Sequence, residues 1–454
     1  MNLKKIFDPR SVAVVGVSLS NPFNPANIIY HKNNLRYKAR TYCVNPAGGT
    51  LYGETVYRSV TEIPEKVDLA VLSVRAELVP AVMEECVRAG AGGAIIISGG
   101  FAESGRGDLQ QRIQEIAKAN NFPVIGPNCL GIFSPPGVDT FFLPHERLIA
   151  LREGSVALVS QSGGILVDQT IKLTQEGVGL SRAVSIGNKA VLDEVDMLDF
   201  FLKDRRTNVV GLYIEGFSEG RGRDFITLMK SAKKPVVVLK SGKTPGGSRA
   251  VSSHTASIAG DYKVFSEVLQ TSSVIEARNE MEFVSYCEVF SCCSRKHVKN
   301  VCIITASGGH GAIAADGCFH GGLSIAEVPE EDAAALRPML SKSVQGICSL
   351  ENPVDLTGSA GDIDFQTSVK FFLEKDYVDC ILLLLLPYLP GITSDVGARV
   401  AQLARESGKP VITYMPHIDK YGIFIDGFES NGVPVAHSVE GAVYMALGLA
   451  RRGR

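Results

Sequence analysis

No charge excess, no long apolar run and no paired-cysteine spacing marks this chain of 454 residues. Lys and Arg (46) nearly balance Asp and Glu (48), a net charge of -2. That balance excludes a general attraction to nucleic acid or to anionic membranes, and the terminal Arg451-Arg452-Gly453-Arg454 is too short for a nucleic-acid arm. The most apolar stretch, Ile381 to Leu386, is far too short to span a bilayer and reads as a buried parallel strand. The opening residues Met1 to Pro9 hold no apolar run of signal-peptide length. Ten cysteines are scattered from Cys43 to Cys380 without a Cys-x-x-Cys pair, and the adjacent Cys292-Cys293 cannot share an unstrained disulfide. This is cysteine usage for a reducing compartment, so the expectation is a cytoplasmic protein with no membrane or nucleic-acid partner.

Two nucleotide signatures are also missing. Walker A spacing is absent, and so is a metal-type His/Cys cluster. The first glycine loop, Gly16-Val17-Ser18-Leu19-Ser20-Asn21, keeps only the first glycine of the dinucleotide fingerprint. The second strand ends in Asn45-Pro46 where a ribose carboxylate would stand. NAD(P), and with it a nucleotide-dependent oxidoreductase, is disfavoured, while a different adenine nucleotide stays open.

What is present is a rhythm. Short β-branched runs (Ser11–Ser18, Thr41–Asn45, Asp68–Val74, Gly93–Ser98, Pro123–Gly126) alternate with helical patterns such as Leu78–Ala89 and Leu109–Asn120. This alternation predicts parallel α/β architecture. Ser134-Pro135-Pro136-Gly137 breaks the pattern as a boundary, and the polar Ser294-Arg295-Lys296-His297 reads as a linker. The length predicts roughly three domains, and the breaks place them at residues 1–133, 150–293 and 299–454. The first is Rossmann-like and the other two are flavodoxin-like in size and rhythm.

In such sheets ligands bind at the carboxyl ends of the strands. Those ends carry Gly16-Val17-Ser18, Ser98-Gly99-Gly100, Gly126-Pro127-Asn128, Ser160-Gln161-Ser162-Gly163-Gly164 and Ser307-Gly308-Gly309. Several loops of small and hydroxyl residues, each expected to lead into a helix N-terminus, suit a phosphate-rich ligand. Asp193 and Glu194 read as the acidic first turn of a helix. His254 stands in Ser252-Ser253-His254-Thr255-Ala256-Ser257-Ile258-Ala259-Gly260, a loop of small and hydroxyl residues that leaves an imidazole accessible beside phosphoryl-binding groups.

Taken together these motifs resemble one family over nearly the whole chain: the α subunit of ADP-forming (NDP-forming) acyl-CoA synthetases, relatives of succinyl-CoA synthetase. Phe7-Asp8-Pro9-Arg10-Ser11 through Gly16, Val44-Asn45-Pro46, Ile97-Ser98-Gly99-Gly100-Phe101-Ala102-Glu103 and Gly126-Pro127-Asn128-Cys129-Leu130-Gly131 resemble its CoA-binding domain. Ser160-Gln161-Ser162-Gly163, Gly187-Asn188-Lys189-Ala190, Tyr213-Ile214-Glu215-Gly216 and the His254 segment resemble the second domain. Asn352-Pro353-Val354-Asp355-Leu356 is similar to the signature of the third.

The resemblance implies an acid-thiol ligase that interconverts acyl-CoA, ADP and phosphate with a carboxylic acid, CoA and ATP through an acyl phosphate and a phosphohistidine. It implies His254 as the phosphorylated nucleophile and Glu215 as the carboxylate that orients its ring. Ser162, Gly163 and Asn128 would hold phosphate, and Gly16, Val17, Ser18, Asn45, Pro46, Val74 and Arg75 would line the CoA site. The family often carries Lys after Asn-Pro and Pro two residues past the third strand, where this chain has Ala47 and Arg75. Arg75 is then the candidate replacement cation. His310, in Thr305-Ala306-Ser307-Gly308-Gly309-His310-Gly311, reads as a helix cap, and Asp355 as a loop-orienting residue. No segment resembles an ATP-grasp domain, so ADP or ATP with magnesium belongs to a separate β subunit in a heterotetramer, which His254 reaches on a mobile loop. The alternative is a non-catalytic CoA- or acyl-CoA-binding regulator of the same fold.

Overall fold

The computed structural model of the chain describes residues 1–147, 150–218, 220–255, 262–270, 272–293 and 298–452; the side chains of 145, 252–255, 268, 270 and 452 lie outside the description. Three sheets organise it, in two compact units, Met1–Glu276 and Ala277–Arg454.

The first sheet comprises β1 (Ser11–Val15), β2 (Arg40–Val44), β3 (Thr50–Leu51), β4 (Glu54–Tyr57), β5 (Leu69–Leu72), β6 (Ala94–Ile96) and β7 (Val124–Ile125), in the order β3-β4-β2-β1-β5-β6-β7. Every residue of β1 and of β5 is buried, as expected of parallel strands covered on both faces. With β4 parallel to β2, the order β4-β2-β1-β5-β6-β7 is that of a Rossmann-like sheet, and β3 adds antiparallel to β4. β1 pairs with β2 on one side and β5 on the other, so the topological switch point opens where Val15, Val44 and Leu72 end together.

The second sheet is built from β8 (Gly131–Ser134), β9 (Val138–Asp139), β10 (Glu153–Ser160), β11 (Leu180–Ser185), β12 (Val209–Ile214), β13 (Val236–Lys240) and β14 (Val274–Ala277), in the order β14-β13-β12-β10-β11-β8-β9. Its last five strands by sequence follow the flavodoxin-like order. Ser134-Pro135-Pro136-Gly137 is the turn of the β8–β9 hairpin, which adds antiparallel to β11, so residues 131–139 belong to the second sheet. Two prolines without N–H groups end one strand, and Gly137 N–H closes the turn on Ser134 O at 3.0 Å. The Gly126-Pro127-Asn128 loop accordingly opens a strand and not a helix, unlike the expectation for these loops.

The two sheets of the first unit are cemented by Arg182 on β11, whose side chain is 2% exposed. It donates to both carboxylate oxygens of Asp8 (2.9 and 3.0 Å) and to Ser134 Oγ. A planar guanidinium suits this bidentate joint where a lysine would not. Phe7 beside Asp8 stacks on Phe200 and meets Phe201 edge-on, in a core shared by both sheets.

In the second unit, β15 (Asn300–Thr305), β16 (Ser324–Ile325), β18 (Cys380–Leu384), β19 (Val411–Tyr414) and β20 (Val435–Ala436) form a parallel sheet in the flavodoxin-like order β16-β15-β18-β19-β20, and β17 (Val354–Asp355) pairs with β15. Ile381–Leu386 is wholly buried, as read from its composition. Asn352 takes the place of a missing strand neighbour: it donates to Val301 O and Ala326 O and accepts from Ile303 N–H. Asp355 accepts from Thr357 N–H at 2.8 Å, fixing the loop behind it. His310 Nδ1 meets Ser307 Oγ at 2.9 Å in the first turn of the helix Gly308–Gly321.

Candidate functional site

A cleft of about 330 Å³ lies in the first unit where the loops after β6, β7, β10 and β11 converge. One wall is the start of the helix Gly163–Gln175. Ser162 is its N-cap, in extended backbone, and Ser160 Oγ donates back to Ser162 O at 2.6 Å. The first-turn N–H groups of a helix have no intrahelical partner and carry the positive end of the dipole, a ready anion site. Space and polarity fit a phosphate there. A Cβ on Gly164 would meet nothing within 4 Å; one on Gly163 would sit 3.3 Å from Leu130 Cβ and 3.6 Å from Ser185 Oγ, and that buried hydroxyl has no hydrogen-bond partner among the described residues.

Asn128 and Asn188 form the opposite wall. Asn128 has a positive φ of 54°, and its side-chain amide donates to Asn188 Oδ1 at 3.3 Å. Asn188 Nδ2 in turn donates to Glu103 Oε2 at 2.5 Å and to Gln110 Oε1 at 3.2 Å. Burial pushes the Glu103 carboxyl up, but the donors from Asn188, Gly100 N–H and Phe101 N–H outweigh it and hold the group below its usual range. The joint is tight in the backbone as well. Asn188 N–H and Ala190 N–H donate to Pro127 O and Gly126 O, and a Cβ on Gly187 (φ 53°) would fall 2.2 Å from Pro127 O. Glycine is required by this approach.

Behind the cleft lies a buried network. Gln161 Oε1 accepts the backbone N–H groups of Glu215 (2.5 Å) and Gly216 (3.2 Å), and its Nε2 donates to Gly216 O (2.8 Å) and Glu194 Oε2 (3.1 Å). Lys189 Nζ reaches both Glu194 oxygens at 3.2 Å and Gly216 O at 2.6 Å. Gln161 directly follows β10 and Glu215 directly follows β12, so this side chain spans the switch point of the second sheet. Glu215 is 4% exposed; its Oε1 is near Tyr213 OH at 3.4 Å, and its Oε2 is buried with no hydrogen-bond partner among the described residues. An acceptor left in this state costs stability and asks for a donor. Lys240, ending β13, donates to Glu215 O at 2.7 Å, and burial brings its ammonium down to about 8.

In sequence, Asp193 and Glu194 read as one acidic turn. Asp193 is indeed the N-cap of the helix Glu194–Lys203, in a capping box with Asp196 and paired with Arg221. Glu194 points inward, 1% exposed, and burial raises its carboxyl against the opposing pull of Lys189. Gln161, Lys189 and Glu194 are the polar residues that the residue types alone did not mark. The signal available was a glutamine and a lysine inside otherwise small-residue strand-end loops.

The expected CoA residues gather at the switch point of the first sheet. Gly16 (φ 101°) lies where a Cβ would meet Ser73 O at 2.3 Å, and Val17 is buried beneath the loop. Ser18 exchanges two hydrogen bonds with Asn27, Ser18 N–H to Oδ1 and Asn27 Nδ2 to Ser18 O. Asn45 spends both ends of its amide within the loops, donating to Val17 O at 2.7 Å and accepting from Ala47 N–H at 2.8 Å. The first of these bonds ties the loop after β2 to the loop after β1. Val74 is half-buried and Arg75 exposed on the third loop. A second cation escaped the sequence reading: the Arg58 stem and Nε pack against Gly48, within 3.2 Å of where its Cβ would stand, beside Ala47.

The backbone of His254 lies in the last turn of the helix Pro245–Thr255, and not in a loop. Thr244 Oγ1 accepts Gly247 N–H at its start, and no proline or glycine interrupts Ser248 to Thr255. The His254 side chain and residues 256–261 lie outside the described residues. The structure thus brings Asn128, Ser162 and Gly163 to one cleft and ties Glu215 to it through Gln161.

Comparison with known proteins gives three family matches along the chain: a CoA binding domain at 10–135, a succinyl-CoA ligase like flavodoxin domain at 153–290 and a ligase-CoA domain at 301–435. The chain is 33% identical to the acetate–CoA ligase (ADP-forming) I subunit alpha of Pyrococcus furiosus, over 98% of this chain and 96% of that one. It is 36% identical to the acetate–CoA ligase (ADP-forming) I of Archaeoglobus fulgidus over 85% of its own length, and spans 55% of that longer protein. Among solved structures, the dinucleotide forming acetyl-coenzyme A synthetase 1 of Ca. Korarchaeum cryptofilum, in complex with phosphate and ADP, matches with a TM-score of 0.89 at 29% identity. That match covers 100% of this chain and 97% of the other.

Proposed function

Since this chain belongs to the α subunits of the ADP-forming acyl-CoA synthetases, we propose that it performs the acyl-CoA and phosphate half of that reaction and passes the phosphoryl group through His254. A phosphate oxygen attacks the thioester carbonyl, the C–S bond breaks, and acyl phosphate and CoA result. His254 then takes the phosphoryl group, the P–O bond to the acyl oxygen breaks, and the carboxylate leaves. ADP with magnesium on an ATP-grasp partner receives the group and becomes ATP. Some relatives carry more chain than this one, so the partner is either a separate β subunit, as in a heterotetramer, or a fused segment.

The observation that carries this reading is Gln161, which lines the cleft and accepts the backbone N–H of Glu215. Ser162, Gly163 and Asn128 offer donors to phosphate, and Gln161 fixes the strand end that presents the unpartnered Glu215 Oε2. A carboxylate accepting the second ring N–H of an imidazole fixes its tautomer and stabilises charge on the ring. CoA would lie over Gly16, Val17, Ser18, Asn45, Pro46 and Val74, with Arg75 and Arg58 as the cations for its phosphates. Ten free cysteines, eight of them buried, support a reducing, cytoplasmic setting.

Labelled-phosphate incorporation tests the proposal. The native chain, given acyl-CoA alone or with its ATP-grasp partner, acquires an acid-labile, base-stable label that His254→Ala lacks. CoA binding without any such label in either setting would make the protein a binding module.

A further inference from the structure

The cleft that holds the phosphate-binding residues has a second, apolar half. Leu130, from the loop before β8, and Ile97, just after β6, are nearly buried in its floor, and Val167 looks in from the second turn of the helix Gly163–Gln175. Phe142 and Leu143, on the segment following β9, close the remaining side and are only half-buried. No Lys, Arg, Asp or Glu lines the cleft among the described residues. Its polar side chains all stand toward the helix N-terminus and the Asn128–Asn188 wall, and Gln161 has already used both ends of its amide.

We propose that this apolar half is the acyl pocket, and that it selects an uncharged, ring-sized acyl group over acetyl and over dicarboxylic acyl groups. The inference rests on the function proposed above and names its substrate class. Size supports it. A dry cavity of about 150 Å³ holds a benzene ring, so a cleft of about 330 Å³ takes a ring together with a phosphate, whereas acetyl would leave Phe142, Leu143 and Val167 against water. Charge supports it as well. A second carboxylate would enter a pocket without a cation, and burying it unpaired is strongly unfavourable. The discriminating contact is apolar area, to which each added carbon contributes in proportion.

Calorimetric titration in phosphate-free buffer tests this with the full chain, using free CoA, acetyl-CoA, succinyl-CoA and phenylacetyl-CoA. Phenylacetyl-CoA is expected to bind at least about tenfold more tightly than acetyl-CoA, with succinyl-CoA weakest. Val167→Phe, which fills the pocket, should collapse the phenylacetyl-to-acetyl ratio toward one. Leu143→Ala, at a half-exposed position, should lower the same ratio and serves if the first variant unfolds early in a thermal melt. Equal binding of the three thioesters with intact free-CoA binding overturns the acyl assignment alone. Loss of free-CoA binding overturns the CoA reading beneath it.

Discussion

Gln161 accepts the backbone N–H of Glu215 at 2.5 Å across the switch point of the second sheet. One neutral side chain therefore sets the position of a carboxylate that it never touches. Gln161→Leu keeps the volume and leaves two backbone N–H groups and Gly216 O without this partner. Each unmet buried group costs about 1–3 kcal/mol. Phosphohistidine formation should fall by about 10²-fold while free-CoA affinity, read calorimetrically, stays as in the native chain. An unchanged labelling rate would remove Gln161 from the positioning role.

Lys240 gives the pH dependence a definite sign. Its pKa drops from an ordinary 10.5 to about 8 through burial. Between about pH 8 and 10.5 the unfolded chain holds a proton that the folded chain has released, so unfolding free energy should rise with pH across that window. Below pH 8 both states are protonated and the contribution is constant. Lys240→Met should flatten this rise in urea titrations between pH 7.5 and 10; an identical slope in native and variant would refute the assignment.

Gly187→Ala probes the joint between the first two sheets. The new Cβ would fall 2.2 Å from Pro127 O at a φ of 53°, so either the Asn128 loop or the Asn188 loop must move. A cost of about 2–3 kcal/mol is expected from strain and displacement together, seen as a lower melting temperature. Phosphate-dependent labelling should fall further than stability alone explains, because Asn128 and Asn188 move with the loop.

Arg58→Gln tests the cation beside Ala47. An exposed charge pair is worth about 1 kcal/mol or less, so CoA affinity should weaken by about fivefold at low salt. The difference should shrink at 0.5 M salt, where screening is short-ranged. A loss independent of salt would point to packing of the arginine stem on Gly48.

The architecture was legible because parallel strands covered on both faces announce themselves as continuous apolar runs, as β1, β5 and Ile381–Leu386 do. The strand-end loops were legible for a related reason, since close approach and tight turns there demand glycine. What sequence could not convey was direction. Glu194 looks like any first-turn acid until the helix it starts is seen to face Lys189. Asn45 gives no sign in sequence that its amide ties the loop after β2 to Val17. Arg58 is brought to Ala47 by the pairing of β4 with β2, a relation that residue spacing does not encode. The Pro135-Pro136 break was visible, but whether it divided two domains or turned a hairpin depended on the partner strand, β11, far along the chain.

That hairpin has a practical consequence for anyone recombining these enzymes. Because β8 and β9 leave the first sheet only to complete the second, with Arg182 riveting Asp8 and Ser134 across the seam, a splice at residue 135 would strip an edge from one module and a covering from the other. The exchangeable cassette is Met1–Glu276 as a whole, and a chimera that swaps acyl preference should carry the entire cassette in one piece.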